Sequence, residues 1–354
     1  MAIQVEHQVQ GMRTLTARRV IGVCAMLLAV LFVVVVISLR MGAFPLSVRD
    51  IVATLFNGAL GRRERIPSEF SLVVFGLRLP RIALGILVGA ALSTAGAGFQ
   101  ALLRNPLADP YVLGVSSGAA LGAILSLIFV PHLPGAIQIA AFVGAAATIA
   151  AVYFLGRRGG QLDSATLLLA GIVAASFLSA GIMFLMTTLP GRDLRGMAFW
   201  LMGDLSSPPP TQNVRGWFVL LFVVFAIAAG AIYLTASDLN LILTGEKEAQ
   251  HLGVNIHRVK LVVYLSASIL TGLAVSVSGA IGYVGLLIPH VMRMLFGNDY
   301  RLLIPTSALG GAIAIVAADT LARSVVAPTE LPVGAMTALA GAPVFIYLLR
   351  RRVR

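Results

Sequence analysis

Nine apolar segments, each close to the roughly 20 residues that a helix needs to cross a bilayer, recur along this chain. They are 20–39, 81–103, 110–130, 135–155, 165–189, 216–236, 259–281, 302–324 and 333–349. A tenth segment, 282–297, is shorter and contains Gly285 and Pro289. Charged residues make up only 11% of the chain, too few to cover a soluble protein of this length. The pattern predicts an all-α polytopic membrane protein with about ten transmembrane helices.

An even number of spans places both chain ends on one side of the membrane. Arg13, Arg18 and Arg19 precede the first span and RRRVR ends the chain, so the positive-inside rule predicts that this side is cytoplasmic. We expect a cytoplasmic segment at 1–19, a ten-helix transmembrane domain at 20–349 and a basic tail at 350–354. The first span is long and no small-residue cleavage site follows it, which favours an uncleaved helix over a signal peptide. The predicted location is the cell inner (plasma) membrane.

The basic residues are distributed almost evenly between the two predicted sides. With this topology fifteen of them lie inside and eleven outside, a weak positive-inside bias in a chain of net charge +12. Only two are lysines, and no basic face alternates with aromatic residues, so a nucleic-acid partner is not indicated. The outer face therefore has another reason to be basic, and a protein partner is the better explanation.

Nothing in the chain indicates that it hydrolyses ATP or catalyses a reaction. Its two lysines, Lys247 and Lys260, do not stand in a phosphate-binding loop. The histidines lack metal-ligand spacing and no nucleophile motif is present, so we predict no catalytic residues and no metal site. Asp319 is the only acid inside a span, and Arg323 follows it at i+4. A structural ion pair is favoured there over a proton relay, which a proton-coupled secondary transporter would need.

The longest predicted cytoplasmic loop, 236–260, contains the signals of a short helix. Glu246 and Glu248 suit its N-terminus and Gly253 suits its end. Such a helix would offer Ala249, Leu252 and Val254 to a groove on another protein. A solvated loop helix without a partner is the alternative.

The predicted outer segments and a weak internal repeat complete the organisation. Ser47 and Asp50 form a capping-box pattern, which predicts a short surface helix within 40–80. The outer segment 187–215 contains SSPPP as a rigid stop. A shift of 183 residues lays 92–106 on 275–289, matching Gly96 to Gly279 and Pro106 to Pro289, as expected for two pseudo-related halves.

Four long motifs resemble the FecCD-type permease subunits of ABC importers for iron–siderophores, haem and cobalamin. They are LRLPRIALGILVGAALSTAGAGFQALLRNPLADPYVLGVSSGAALGA (77–123), GEKEAQHLGVN (245–255), GYVGLLIPHVMR (282–293) and ELPVGAMTALAGAPVFIYLL (330–349). The resemblance covers nearly the whole chain from about residue 20. It implies a type II ABC importer permease fold, assembled as a homodimer with a translocation path along the dimer axis.

The resemblance also assigns roles to individual residues. Arg78 and Arg81 of LRLPR and Arg323 of ADTLAR would pair with carboxylates of the binding protein. The planar guanidinium fork suits carboxylates and never loses its charge. Pro80 would stand in the first turn of its helix, where no N–H is needed.

The cytoplasmic gate and the ATPase contact are carried over in the same way. The gate would be formed by Asn105, Leu107 and Ser164, although Asp163 beside Ser164 departs from the family pattern and brings a negative charge. The contact with the ATPase would be formed by Glu246, Ala249, Leu252 and Gly253.

Together these features predict the permease subunit of an importer that moves a ferric siderophore-type chelate, with haem or cobalamin as alternatives. The expected partners are a second copy of the chain, two ATP-binding-cassette ATPase subunits, a periplasmic or lipoprotein substrate-binding protein and membrane lipid. No cofactor is expected in this chain, because ATP and magnesium would bind to the ATPase.

Overall fold

The apolar segments form helices in the computed structural model, which describes residues 15–42, 44, 46–62, 64, 66–158, 161–188, 194–206, 211, 213–326 and 329–352. In chain order the helices are α1 (Ala17–Arg40), α2 (Val48–Ala59), α3 (Ser68–Leu102), α4 (Val115–Phe129), α5 (Ala136–Leu155), α6 (Ser164–Thr188), α7 (Leu194–Leu201), α8 (Val214–Leu234), α9 (Ala236–Thr244), α10 (Glu246–His251), α11 (Ile256–Ser278), α12 (Val284–Phe296), α13 (Tyr300–Ser324) and α14 (Val333–Arg352). A 3₁₀ turn, Pro110–Leu113, precedes α4, and the two-residue strands Arg157–Arg158 and Gln161–Leu162 pair antiparallel before α6.

Ten apolar helices occupy the ten predicted segments. Among the described residues, seven are long and apolar enough to cross a membrane, and α4, α12 and the apolar part of α14 are shorter. The all-α prediction and the number of spans are therefore confirmed. The short connecting helices α2, α7, α9 and α10 lie between them.

Helix α3 forms the centre of the bundle. Every residue from Leu87 to Leu102 is buried, and the helix packs against α13, α11 and α12. A helix that is apolar all round buries all its faces, whereas an amphipathic one leaves a face exposed. The uniform composition of this segment thus explains its central place.

Small residues allow these helices to approach closely. A Cβ on Gly89 would overlap the carbonyl oxygen of Gly311 in α13, and one on Gly96 would overlap that of Gly285 in α12. Gly118 and Gly122 meet α5 in the same way. Backbone contact of this kind is typical of helices packed within a membrane.

The start of the second span differs from the prediction. We expected it at residue 81, but the continuous helix α3 begins at Ser68. Its α-helical part begins at Leu79 and has Pro80 in its first turn, as predicted. The preceding stretch, Leu72–Arg78, is π-helical, and the Leu79 N–H donates to the Val74 carbonyl oxygen. Widened turns of this kind re-pair the backbone where proline supplies no N–H. The LRLPR motif therefore lies inside a helix, not at its entrance.

Two smaller predictions have opposite outcomes. Ser47 and Asp50 form the predicted capping box, with the Asp50 N–H donating to Ser47 Oγ at 3.2 Å and the Ser47 N–H to Asp50 Oδ2 at 3.2 Å. The 183-residue repeat alignment is wrong, because Gly96 lies inside α3 whereas Gly279 ends α11 at φ +66°. The PPP part of SSPPP lies outside the described residues.

Candidate docking, coupling and gate sites

The three arginines of the predicted docking site lie together where the start of the α-helical part of α3 meets the end of α13. Arg81 Nε donates to Asp319 Oδ1 at 2.9 Å, and Arg81 Nη2 lies 2.8 Å from the same oxygen. The other carboxylate oxygen of Asp319 lies 3.1 Å from Arg323 Nε. The Asp319 side chain is only 3% exposed. This geometry matches the predicted structural ion pair and adds Arg81 to it.

Arg78 and Arg323 make further bonds to the backbone and side chains of α1 and the segment after it. Arg78 is buried and donates to the carbonyl oxygens of Leu39 and Phe44. Arg323, also buried, donates from Nη2 to Ser38 Oγ at 2.8 Å. Both guanidinium groups therefore tie the first span to α3 and α13. Their predicted contact with a binding protein stays a prediction.

Arg81 has a second carboxylate partner, which no sequence pattern predicted. Its Nη1 donates to Glu330 Oε2 at 2.6 Å, and the Glu330 side chain is 49% exposed. Glu330 lies in the short connection before α14. The cluster of Arg78, Arg81, Asp319, Arg323 and Glu330, hereafter the arginine cluster, holds three cations and two anions.

The predicted coupling helix exists as α10, at the opposite end of α3 from the arginine cluster. Glu246 begins it, accepts a hydrogen bond from Lys260 Nζ at 2.9 Å and lies 3.8 Å from Arg104 Nη1. The Glu246 carboxylate is thus engaged within the chain. The predicted contact of Glu246 with an ATPase would have to share the carboxylate with Lys260.

Two residues proposed to face the ATPase point inward instead. Ala249 is fully buried and packs into the main core, and Val254 is also buried. Leu252, by contrast, is 67% exposed, and Gly253 ends the helix at φ +88°. The prediction that Ala249 lines an exposed docking face is wrong for this structure, because α10 uses that side to pack on the permease itself. Leu252 and Gly253 remain available to a partner.

A polar cavity lies between α10 and the start of α11. Its volume is about 500 Å³, and Lys247, Gln250, His257 and Lys260 are among the residues that line it. Both lysines of the chain therefore border this one cavity. Its lining is polar and includes Glu246 as well as the two lysines, unlike the apolar surface of the spans.

The three predicted gate residues lie around the end of α3. Asn105 Oδ1 accepts a hydrogen bond from the Leu107 N–H at 2.9 Å, which shapes the turn, and Leu107 is exposed. Ser164 Oγ donates to the carbonyl oxygen of Leu102 at 3.2 Å. The sequence-distant gate segments are thus brought together, as the resemblance implied. Whether they close a path stays a prediction.

Asp163 has a local structural role beside the gate. Its Oδ2 accepts hydrogen bonds from the Thr166 N–H at 2.8 Å and from Thr166 Oγ1 at 2.6 Å. A carboxylate at a helix N-terminus satisfies free N–H groups and is favoured by the helix dipole. The departure from the family pattern therefore caps α6.

The match to known proteins decides the family. The model of the FecCD transport family matches residues 30–351. The chain belongs to this family. Among its relatives, the cobalamin import system permease protein of Halobacterium salinarum is 42% identical over 81% of this chain and 76% of that protein. The hemin transport system permease protein of Yersinia pestis is 40% identical over 92% of this chain and 94% of that protein.

A solved structure supports the same placement. An ABC transporter described as metal-chelate type, in an inward-facing conformation, superposes with a TM-score of 0.78 at 31% identity, covering 94% of this chain and 99% of that one. The FecCD chain described here is therefore a multi-span membrane permease of the ABC importer class. The fold class and the family inferred from the motifs are confirmed.

Within this FecCD chain, two features near the gate escaped sequence reasoning. Tyr111 OH donates to the Ile281 carbonyl oxygen at 3.0 Å and accepts from the Ile281 N–H at 3.0 Å, so it holds the break between α11 and α12. Asp109 Oδ1 accepts from the Tyr111 N–H at 2.8 Å. Burial raises the pKa of Asp109 to about 6, although the Tyr111 bond acts in the other direction. An aspartate directly before a proline, as in LADPY, was the available signal.

The sequence analysis also missed Arg104. Its backbone adopts φ +50°, which is uncommon for a residue with a side chain, and its guanidinium approaches Glu246 of α10. The pair connects the gate turn to the coupling helix. Among the described residues no cluster of side chains suited to a metal ion is present.

Proposed function

We propose that this permease forms a homodimer in the cytoplasmic membrane and moves a metal chelate from a substrate-binding protein to the cytoplasm. Both chain ends would lie in the cytoplasm, so the arginine cluster would face outward and α10 inward. The observation that carries the proposal is the placement of these two sites at opposite ends of the central helix α3. The α-helical part, Leu79–Leu102, spans 24 residues, or about 36 Å.

Energy would come from two ATPase subunits that bind ATP and magnesium. This chain has no phosphate-binding loop, and its lysines border the cavity beside α10. Movement of the ATPase subunits would reach the permease through the exposed Leu252 and Gly253. Because Glu246 lies near Arg104, a shift of α10 would be passed to the gate turn at Asn105 and Leu107.

The cargo that we propose first is a ferric chelate of the siderophore type. Haem and cobalamin are the alternatives, because the two relatives described above are named for cobalamin and hemin. All three are metal chelates, the class named for the solved relative. Release from the permease requires weak binding, so we expect recognition to reside in the binding protein.

A proton-coupled secondary transporter is the competing function. It would need Asp319 to exchange a proton during transport. That carboxylate is held by Arg81 and Arg323 on both of its oxygens and is almost inaccessible. Two guanidinium partners on an almost inaccessible carboxylate favour a structural ion pair over a proton relay.

Uptake into proteoliposomes separates these possibilities. The permease, its ATPase and the binding protein would be reconstituted, and uptake of a ferric siderophore, haem and cobalamin measured with internal ATP or with a proton gradient alone. We expect ATP-dependent uptake of one of the three, with the siderophore favoured. Uptake driven by the proton gradient without the ATPase would overturn the proposal.

The gate and the homodimer are tested together by cross-linking. Leu107→Cys would be introduced with Cys24→Ala, because Cys24 is the only native cysteine. A disulfide between two subunits, whose yield changes with nucleotide, is expected. A yield independent of nucleotide would place the gate elsewhere, and the Cys24→Ala chain alone supplies the background.

A further inference from the structure

We propose that Glu330 occupies the position on Arg81 that a carboxylate of the binding protein takes when the two proteins dock. This inference rests on the proposed docking role of the arginine cluster. It adds that the free permease carries its own substitute for the partner's acid. The partner contact is thereby defined as an acidic side chain that reaches Arg81 Nη1.

The two carboxylates on Arg81 differ sharply in their surroundings. Asp319 binds the Nε and Nη2 edge, and it is buried and shared with Arg323. Glu330 binds only Nη1, at 2.6 Å, and half of its side chain is exposed. A guanidinium group offers separate edges to carboxylates. The inner edge is therefore permanently occupied, whereas the outer edge is occupied by a group that solvent or a partner can reach.

Of the three arginines, Arg81 is the one on which a partner carboxylate can replace a carboxylate of the permease. Arg78 and Arg323 are buried and donate to α1 and its following segment. Displacing those bonds would leave buried carbonyl and hydroxyl groups without partners, which is costly. Displacing Glu330 returns a carboxylate to water, where it is well solvated. The Arg81–Glu330 ion pair is thus the contact of the cluster that costs the least free energy to break.

Occupation by Glu330 would weaken docking and sharpen its specificity. An approaching carboxylate meets a like charge while Glu330 is in place, and like charges across an interface oppose binding. The apparent affinity also falls by the fraction of molecules in which Nη1 is free. Glu330 would be displaced only by a partner acid that binds Arg81 more strongly than this exposed intramolecular ion pair does. A neutral or basic surface would gain nothing there.

The test compares binding of the substrate-binding protein, captured on the tagged transporter complex, across four variants. Glu330→Gln should tighten binding about two- to fivefold, the range of one exposed ion pair, and Glu330→Ala should tighten it at least as much. Glu69→Gln removes an exposed acid near the start of α3 and should leave affinity unchanged. Arg81→Glu should weaken docking.

The outcomes separate this inference from the docking proposal. If both Glu330 variants leave affinity unchanged or weaken it, while Arg81→Glu still weakens docking, Glu330 is no substitute and the inference fails alone. If Arg81→Glu also leaves docking unchanged, the docking proposal fails with it. Thermal unfolding of each detergent-solubilised variant shows whether it is folded. If Glu330→Gln is unstable, the affinity of Glu330→Ala for the binding protein tests the inference instead.

Discussion

The two ends of α3 both carry ion pairs, but in different environments. In the arginine cluster, Asp319 and Arg323 are buried and Arg81 is 11% exposed. At the coupling end, the Arg104 and Glu246 side chains are 44% and 35% exposed, and their closest atoms are 3.8 Å apart. The same residue types are therefore a fixed part of the core at one end and an adjustable surface contact at the other.

The difference follows from solvent access. A buried charge that loses its partner is left without water, whereas an exposed one is readily solvated. The arginine cluster thus holds α1, α3 and α13 in one arrangement. The contact of Glu246 with Arg104 costs little to break, which suits a helix that has to move with an ATPase.

The largest expected effect is a loss of stability when the buried ion pairs of the arginine cluster are broken. Asp319→Asn leaves Arg81 and Arg323 without their shared carboxylate, so we expect a loss of about 3–5 kcal/mol in the free energy of unfolding. Denaturant titration in detergent measures it. Glu69→Gln, an exposed acid near the start of the same helix, is the control and should change stability by less than about 0.5 kcal/mol. Equal effects of the two variants would contradict the contrast drawn above.

The next effect concerns Asp109, a half-buried acid close to the gate. Its folded pKa of about 6 exceeds the ordinary value of 3.8, so the folded state binds the proton more tightly. The resulting stability is fully present below about pH 4 and is lost as pH rises through 6. Asp109→Asn should therefore raise unfolding free energy by about 1–3 kcal/mol at pH 7.5.

The same Asp109→Asn protein should differ little from the native protein at pH 4, because both side chains are then neutral. Unfolding temperatures measured from pH 4 to 7.5 give the comparison. Asp50→Asn, in the solvent-facing capping box, should show no such gain at high pH. A gain that is independent of pH would show that charge burial is not the cause.

A smaller effect is expected at Lys260, which is better buried than its partner Glu246. Lys260→Gln should cost about 1 kcal/mol or less in stability, but it releases α10 from α11. We therefore expect reduced substrate-stimulated ATP hydrolysis in the assembled transporter. Lys247→Gln keeps this bond while changing the same cavity, and it serves as the matched control. Normal stimulation in Lys260→Gln would show that this bond is not used in coupling.

The smallest effect is expected at Arg104. Arg104→Gln removes a long, exposed contact, so the free energy of unfolding should fall by no more than about 0.5 kcal/mol. A change in coupling without a change in stability would support a role in passing motion to the gate. A loss above about 1 kcal/mol would mean that the coupling end is as rigid as the arginine cluster.

Local signals in the sequence predicted several features well. The apolar segments, the Ser47–Asp50 capping box and the helix at Glu246 each depend on neighbouring residues. The ion pair of Asp319 with Arg323 could be predicted because residues at positions i and i+4 share a helix face. The start of α3 was misjudged because proline usually marks a helix boundary, and its π-helical correction depends on the surrounding bundle.

Contacts between distant segments were beyond such signals. Glu330 is separated from Arg81 by most of the chain, and no sequence pattern near either residue predicts their ion pair. Ala249 was assigned to the wrong side of α10 because a six-residue helix is too short to show which face is apolar.

By itself the sequence determined that this chain spans a membrane many times, where its helices lie and to which family it belongs, because apolar length and long motifs are local properties. The tertiary structure decided which charges are buried and paired, and which are left to solvent. Burial depends on what α1, α11 and α13 bring against α3, and electrostatic strength depends on burial. The same arginine can therefore be a structural bond or an exposed contact, and only its surroundings decide between the two.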